Sequence, residues 1–148
     1  MSNFMLVIRS AVIVALSLSM PSIAAEIGRI KVAKGTVTIE RDGAVVPASV
    51  GARVQTSDRI RTAADSSVGI TMDDDSLLSA GPNSVLSLDR YAFDPTTNQG
   101  RFDAALNKGT LSVISGRIAK QSPDAMTVRT PAIILGVRGT TFAVSADE

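Results

Sequence analysis

Val68-Gly69-Ile70-Thr71-Met72-Asp73-Asp74-Asp75-Ser76-Leu77-Leu78 alternates apolar with small or polar residues until three aspartates interrupt it. That alternation puts Val68, Ile70 and Met72 on one face of an extended chain and Gly69 and Thr71 on the other, the period of a half-buried β-strand. The same period recurs on both sides of this stretch. Val37 and Ile39 alternate with Thr36, Thr38 and Glu40; Leu86 and Leu88 alternate with Ser87 and Asp89; Leu111 and Val113 alternate with Thr110 and Ser112. Turn-forming residues separate the runs: Arg41-Asp42-Gly43, Ala80-Gly81-Pro82-Asn83, Asp94-Pro95 through Asn98-Gln99-Gly100, and Ser122-Pro123-Asp124. No window of a dozen residues beyond the N-terminal stretch carries a helical stripe. The expected fold class is all-β: a single compact domain of short strands, built as a sandwich, roll or solenoid.

Two echoes bear on how that domain is organised. Lys34-Gly35-Thr36-Val37-Thr38-Ile39 returns 74 residues later as Lys108-Gly109-Thr110-Leu111-Ser112-Val113, and Ile60-Arg61-Thr62 returns 68 residues later as Val128-Arg129-Thr130. Two pseudo-repeated lobes would leave such echoes, with an indel to account for the unequal offsets. Convergent strand chemistry would leave them too.

The N-terminal stretch reads as an address. Arg9 is the first charge and is followed by an apolar run from Ala11 to Met20, a break at Pro21, and the small residues of Ser22-Ile23-Ala24-Ala25. A cationic start, a short apolar run and a small-residue cleavage site make a secretory signal peptide. The uncharged part falls short of the ~20 apolar residues that span a bilayer. Residues 1–25 are thus expected to be removed on export, leaving 26–148 as a β domain in the periplasm that does not span the membrane. There is no cysteine, hence no disulfide framework and no lipid-bearing cysteine. Without Arg9 the 15 basic residues become 14, matching the 14 acidic ones. A mature chain of about zero net charge lacks the cationic surface that replaces counterions on nucleic-acid phosphates, so no nucleic-acid partner is expected.

Composition also bounds the chemistry. With no histidine and no cysteine, nucleophilic catalysis of the Ser/His or Cys/His kind is excluded, as are most zinc and transition-metal sites. A pair of carboxylates could in principle cleave glycosidic bonds, but the glutamates number only three: Glu26, Glu40 and Glu148. No catalytic residue, cofactor or metal is expected. Asp73-Asp74-Asp75 is the one acidic cluster. Three consecutive carboxylates on an extended chain point apart and lack a calcium-loop spacing, so the expectation is a hairpin turn with solvated aspartates, one of them capping backbone amides.

The segments in sequence resemble a known family. Gly35-x-Val37, then Val54 through Ser57-Asp58-Arg59-Ile60-Arg61-Thr62, is similar to the first half of a FecR domain, with Ser57 where the family usually carries glycine. Val68 to Leu78 resembles its strand–turn–strand, and Gly81-Pro82-Asn83-Ser84 with Leu86-x-Leu88 matches the turn and strand after it. Val128-Arg129-Thr130-Pro131-Ala132-Ile133-Ile134-Leu135-Gly136-Val137-Arg138-Gly139-Thr140-Thr141-Phe142 resembles the closing signature nearly throughout. The likeness covers about residues 28–145. It implies an all-β periplasmic module related to regulators that relay a signal from an outer-membrane receptor to a cytoplasmic sigma factor. The cytoplasmic part of that relay has no counterpart before the apolar run or after Glu148, so this chain is expected to bind and sense without transmitting across the inner membrane.

The resemblance and the residues together single out four candidate partner contacts. Arg138, between two glycines, either presents its guanidinium fork to a partner's carboxylate or folds back on carbonyls or an aspartate of its own domain; the second is expected, with Gly139 at a positive φ. Phe142 lies within the stretch 140–145, expected to be an edge strand that accepts a partner strand or a second copy. Tyr91 and Phe93 share a face of one strand and either meet a partner or pack into the core. The expected partner is a cell-envelope protein, of the outer membrane or of a secretion assembly. The alternative is a structural or ligand-binding envelope protein for a glycan or divalent cation.

Overall fold

In the computed structural model, residues 25–138 and 141–147 are described. The expected signal peptide therefore lies outside the described residues, as does the expected positive φ of Gly139. Twelve strands and one short helix follow in order: β1 (Glu26–Lys34), β2 (Val37–Arg41), β3 (Ala44–Pro47), β4 (Arg53–Gln55), β5 (Arg59–Thr62), β6 (Ser67–Met72), β7 (Leu77–Ala80), β8 (Val85–Phe93), β9 (Gly100–Ile114), α1 (Arg117–Gln121), β10 (Met126–Arg129), β11 (Ile134–Gly136) and β12 (Thr141–Ala146). The period-two runs behave as their pattern requires. Val37, Ile39, Val68, Ile70, Met72, Leu86, Leu88, Leu111 and Val113 are all buried, and their polar neighbours lie at the other face or at the surface.

The strands form one curled sheet in the order β3-β2-β5-β8-β9-β7-β6-β1-β4, with β10 and β12 branching from β9 and β11 pairing on β10. β9, at 15 residues, is much longer than the short strands expected, and it belongs to both halves of the sheet. Its first part, up to Lys108, pairs antiparallel with β8, and Phe102 to Ala105 also pair with β10. Its last part pairs with β7 through Leu111–Ile114 and with β12 through Gly109–Ile114. Only the β9–β10 pairing is parallel among the described strands. The inward faces of both halves meet in one core cluster that includes Ile30, Ile39, Ile60, Ile70, Leu86, Phe102, Leu106, Leu111 and Val113.

The two Lys-Gly-Thr echoes mark the places where the chain passes from one half to the other. Asp65 and Asn83 take positive φ (55° and 53°), as short polar side chains tolerate. The serine after each donates its hydroxyl two residues back, Ser66 to Ala64 O (3.1 Å) and Ser84 to Pro82 O (3.2 Å). Each serine oxygen then accepts a distant amide, from Thr36 (2.9 Å) and Thr110 (3.0 Å). The glycines before those threonines have φ of 72° and 91°, and a Cβ on either would collide with the serine it faces. The clasp recurs; the strand pairing does not. β2, after the first clasp, pairs with β5, whereas the strand carrying the second echo, β10, lies parallel to the other part of β9.

A third serine, Ser76, belongs to the aspartate turn, and here the expectation of solvated carboxylates needs correction. Asp73 and Asp75 are exposed, but Asp74 is fully buried. Its side chain accepts from the Ser76 hydroxyl (2.8 Å), the Ser76 amide (3.2 Å), the Ile118 amide (3.2 Å) and the Tyr91 hydroxyl (3.1 Å). The Ser76 oxygen in turn accepts the Gly116 amide at 3.0 Å. Alternation explains the difference: Met72, Asp74 and Ser76 continue the inward set of β6 through the turn, so the middle aspartate cannot face water.

Candidate interaction surface

The closing segment is built around Thr130. Its amide donates to Ile133 O (2.8 Å), and its Oγ1 accepts the amides of Ile133 (3.1 Å) and Ala132 (3.3 Å). That turn carries Pro131 and sends β11 back antiparallel along β10. Val137 then anchors the segment: it is buried, and its amide donates to Met126 O at 3.0 Å. Arg138 does fold back on its own domain, donating from Nη2 to Asp124 Oδ1 at 3.1 Å. Both side chains are mostly exposed, 76% and 88%, and an exposed ion pair adds little to stability. The anchor is therefore Val137, and the guanidinium remains at the surface.

β12 lies against β9 in unbroken antiparallel register from Thr141↔Ile114 to Ala146↔Gly109. Phe142, Val144 and Ala146 turn toward the core, Phe142 opposite Val113, while Thr141, Ala143 and Ser145 are exposed. No strand pairs with the far side of β12 among the described residues. Leu135, Gly136, Val137, Arg138, Phe142 and Ala143 line a cavity of about 390 Å³ beside it. The structure thus brings Arg138 and Phe142 together at the start of a free strand edge.

Tyr91 and Phe93 lie elsewhere. The Tyr91 hydroxyl accepts the Asp74 amide at 2.8 Å, and the ring stands edge-on to Phe102 with centroids 5.2 Å apart. Burial, with the Asp74 carboxylate beside it, pushes the Tyr91 hydroxyl well above the usual tyrosine range. Phe93 lies under the Arg117 guanidinium, 4.7 Å from ring centre to Cζ. These aromatics fasten β8 to the aspartate turn and to α1. Asp73, Asp74 and Asp75 do not converge, and among the described residues no group of three carboxylates is placed to hold a metal ion.

Several residues that shape the surface are not evident from sequence patterns. Asp58 is 1% exposed and takes Arg41 in a two-pronged grip, Nε to Oδ1 at 2.8 Å and Nη2 to Oδ2 at 2.7 Å, while the Gln55 amide donates to Oδ2 at 2.8 Å. Charge is also unevenly spread over the sheet. β6, β7, the part of β9 from Gly109 to Ile114, and β12 contain no charged residue, whereas β1 and β4 beyond them carry Arg29, Lys31, Lys34 and Arg53. The outward positions of the other half carry Arg59, Arg61, Arg90, Arg101 and Arg129. Reading residues in linear runs hides this asymmetry, because each strand contributes only one or two of them.

The described residues thus form a curled all-β domain in which one side of the uncharged strand β12 is left unpaired. Residues 58–148 match the family model described as FecR protein, and the chain belongs to that family. No curated protein and no solved structure matches the chain. No helix among the described residues is long and apolar enough to cross a membrane.

Proposed function

We propose that this protein is a non-catalytic periplasmic interaction module that takes a strand of an envelope protein along the free edge of β12. The observation that carries the reading is that edge: six residues without charge, proline or bulge, next to the cavity of Arg138 and Phe142. Edge strands left open in this way accept a partner strand unless something blunts them. Strand addition draws affinity from main-chain hydrogen bonds and selectivity from pockets for alternate side chains. Here the cavity would take an apolar side chain against Phe142 and Leu135, with Arg138 at its rim for an acidic neighbour. Membership of a family of regulators supports binding over catalysis, and the address at residues 1–25 supports the periplasm.

The test places a photocrosslinking residue at 141, 143 or 145 in intact cells, with position 112 as control, an exposed serine on the neighbouring strand. We expect one discrete adduct from the edge positions, absent from 112 and lost in an Ala143→Lys background that keeps the wild-type Tm. Adducts equal from all four positions, or an edge adduct untouched by Ala143→Lys, would overturn strand addition. An adduct at twice the chain mass would identify the occupant as a second copy.

A further inference from the structure

We propose a second binding site, on the opposite half of the sheet: the groove across β8, β9 and β10 binds an anionic group, carboxylate or phosphate, between three arginines. The groove has a volume of about 370 Å³ and is lined by Arg90, Arg101 and Arg129, with Asp89, Asp103 and Ile134. Register brings the arginines together. Arg90 on β8 and Thr127 on β10 both stand opposite Asp103 on β9, Arg101 precedes Asp103 by two residues on the same face, and Arg129 follows Thr127 by two.

Asp103 organises the site rather than neutralising it. Its Oδ1 accepts the Thr127 hydroxyl at 2.6 Å, and its Oδ2 accepts Arg101 Nε at 3.1 Å, with Arg90 Nε at 3.7 Å. Burial pushes its carboxyl up, but Thr127 and the two arginines outweigh that and hold it below the usual range, so it stays ionised. The second carboxylate, Asp89, accepts Arg129 Nη2 at 3.0 Å. A guanidinium offers five N–H donors. The Arg90 side chain meets Asp103 only as an ion pair at 3.7 Å, Arg101 uses Nε on Asp103, and Arg129 uses Nη2 on Asp89. Most of the donors are therefore left without a protein acceptor beside a groove that has an excess of one positive charge, three arginines against two aspartates.

The arginine side chains are 45–68% exposed, so a ligand can reach them without opening the fold. Ile134, 70% exposed at the rim, offers an apolar contact beside the anion. Acidic residues elsewhere sit largely in turns, as Asp42, Asp65, Asp73, Asp75, Asp94 and Asp124 do. Among the described residues, Asp89 and Asp103 are then the only carboxylates lining the groove, against three arginines. A bidentate fork suits both carboxylate and phosphate, and the single excess charge in a small groove suits one such group, not a nucleic-acid backbone.

The test uses the mature chain and two probes, a short oligoglutamate peptide and inorganic pyrophosphate, titrated by calorimetry and by NMR of the arginine Nε–H signals. We expect saturable binding of at least one probe that shifts Arg90 and Arg101, weakens with added salt, and falls at least about tenfold in Arg90→Gln, the loss of one or two charge-assisted hydrogen bonds. The Arg90 side chain is 68% exposed and meets Asp103 only at 3.7 Å, so this variant should melt within a few degrees of wild type. Preference for the peptide assigns a protein carboxylate, and preference for pyrophosphate assigns a phosphate ligand. No saturable binding at millimolar probe, or binding equal in Arg90→Gln and in the control Lys31→Gln, would overturn the site. Neither result bears on the β12 edge.

Discussion

Ser57 adopts a φ of 73° immediately before Asp58, in the left-handed region where a Cβ is strained by about 1–2 kcal/mol. That conformation aims the Asp58 carboxylate inward at Arg41 and at the Gln55 amide. The glycine that the resemblance leads one to expect here would take that φ without strain; this chain takes it with a serine. Ser57→Gly should raise Tm by a few degrees, corresponding to up to about 1 kcal/mol; a lowered Tm would show that the strain is absorbed elsewhere. Asp74 is the opposite case, a residue whose removal strands its neighbours. Asp74→Ala leaves the Ser76 hydroxyl, the Ile118 amide and the Tyr91 hydroxyl without their acceptor and should cost about 3–5 kcal/mol in a urea melt. Tyr91→Phe, which removes one of those donors, should cost about 1–2 kcal/mol. Of these residues, the sequence made Ser57 legible through a missing glycine. The burial of Asp74 was not legible, because three identical side chains in a row disguise the alternation that turns the middle one inward.

At the scale of elements, strand existence could be read from period two, as the burial of Val37 and Ile39 or Leu111 and Val113 confirms. Strand neighbours could not. β1 lies beside β6 and β8 beside β5, choices set by which faces fit rather than by any local signal. The aromatic pair of Tyr91 and Phe93 was legible as a face of one strand, but the cover over that face depends on Asp74 and Arg117, distant in sequence. The same is true of the stitching of β8, β9 and β10 by Asp103. Its carboxyl is depressed in the folded state, so the stability it contributes is present above the ordinary value of 3.8 and is lost as pH falls through the folded value. Asp103→Asn should therefore lower stability by about 1–2 kcal/mol at neutral pH. The gap to wild type should close as pH falls below about 4, and melts from pH 7 to pH 2 read both limbs. A constant gap across that range would mean the charge of Asp103 contributes nothing.

Across the whole molecule, the family match begins at Asp58, yet the fold begins earlier. Ile27, Ile30, Val37, Ile39 and Val54, all on β1, β2 and β4, are part of the core, and β1 and β2 cover edges of β6 and β5. A chain of residues 58–148 should be unfolded or aggregated by circular dichroism and size exclusion, whereas residues 26–148 should melt cooperatively; a folded short form would show that the first four strands are dispensable. The single domain was legible from length and the lack of any linker. The joining of its halves through one strand was not, because the Lys-Gly-Thr echo does not say which strands pair on either side of the bend it marks.

That shared strand governs how the molecule comes apart. β9 supplies pairing partners to β8 and β10 with its first part and to β7 and β12 with its last. Neither half can open while keeping its central strand in place, so the two do not form separate foldons with their own opening free energies. Fraying is left to the outlying strands β3, β4, β11 and β12. The unpaired edge of β12 can therefore loosen and re-form while β9 keeps the rest of the domain as one cooperative unit.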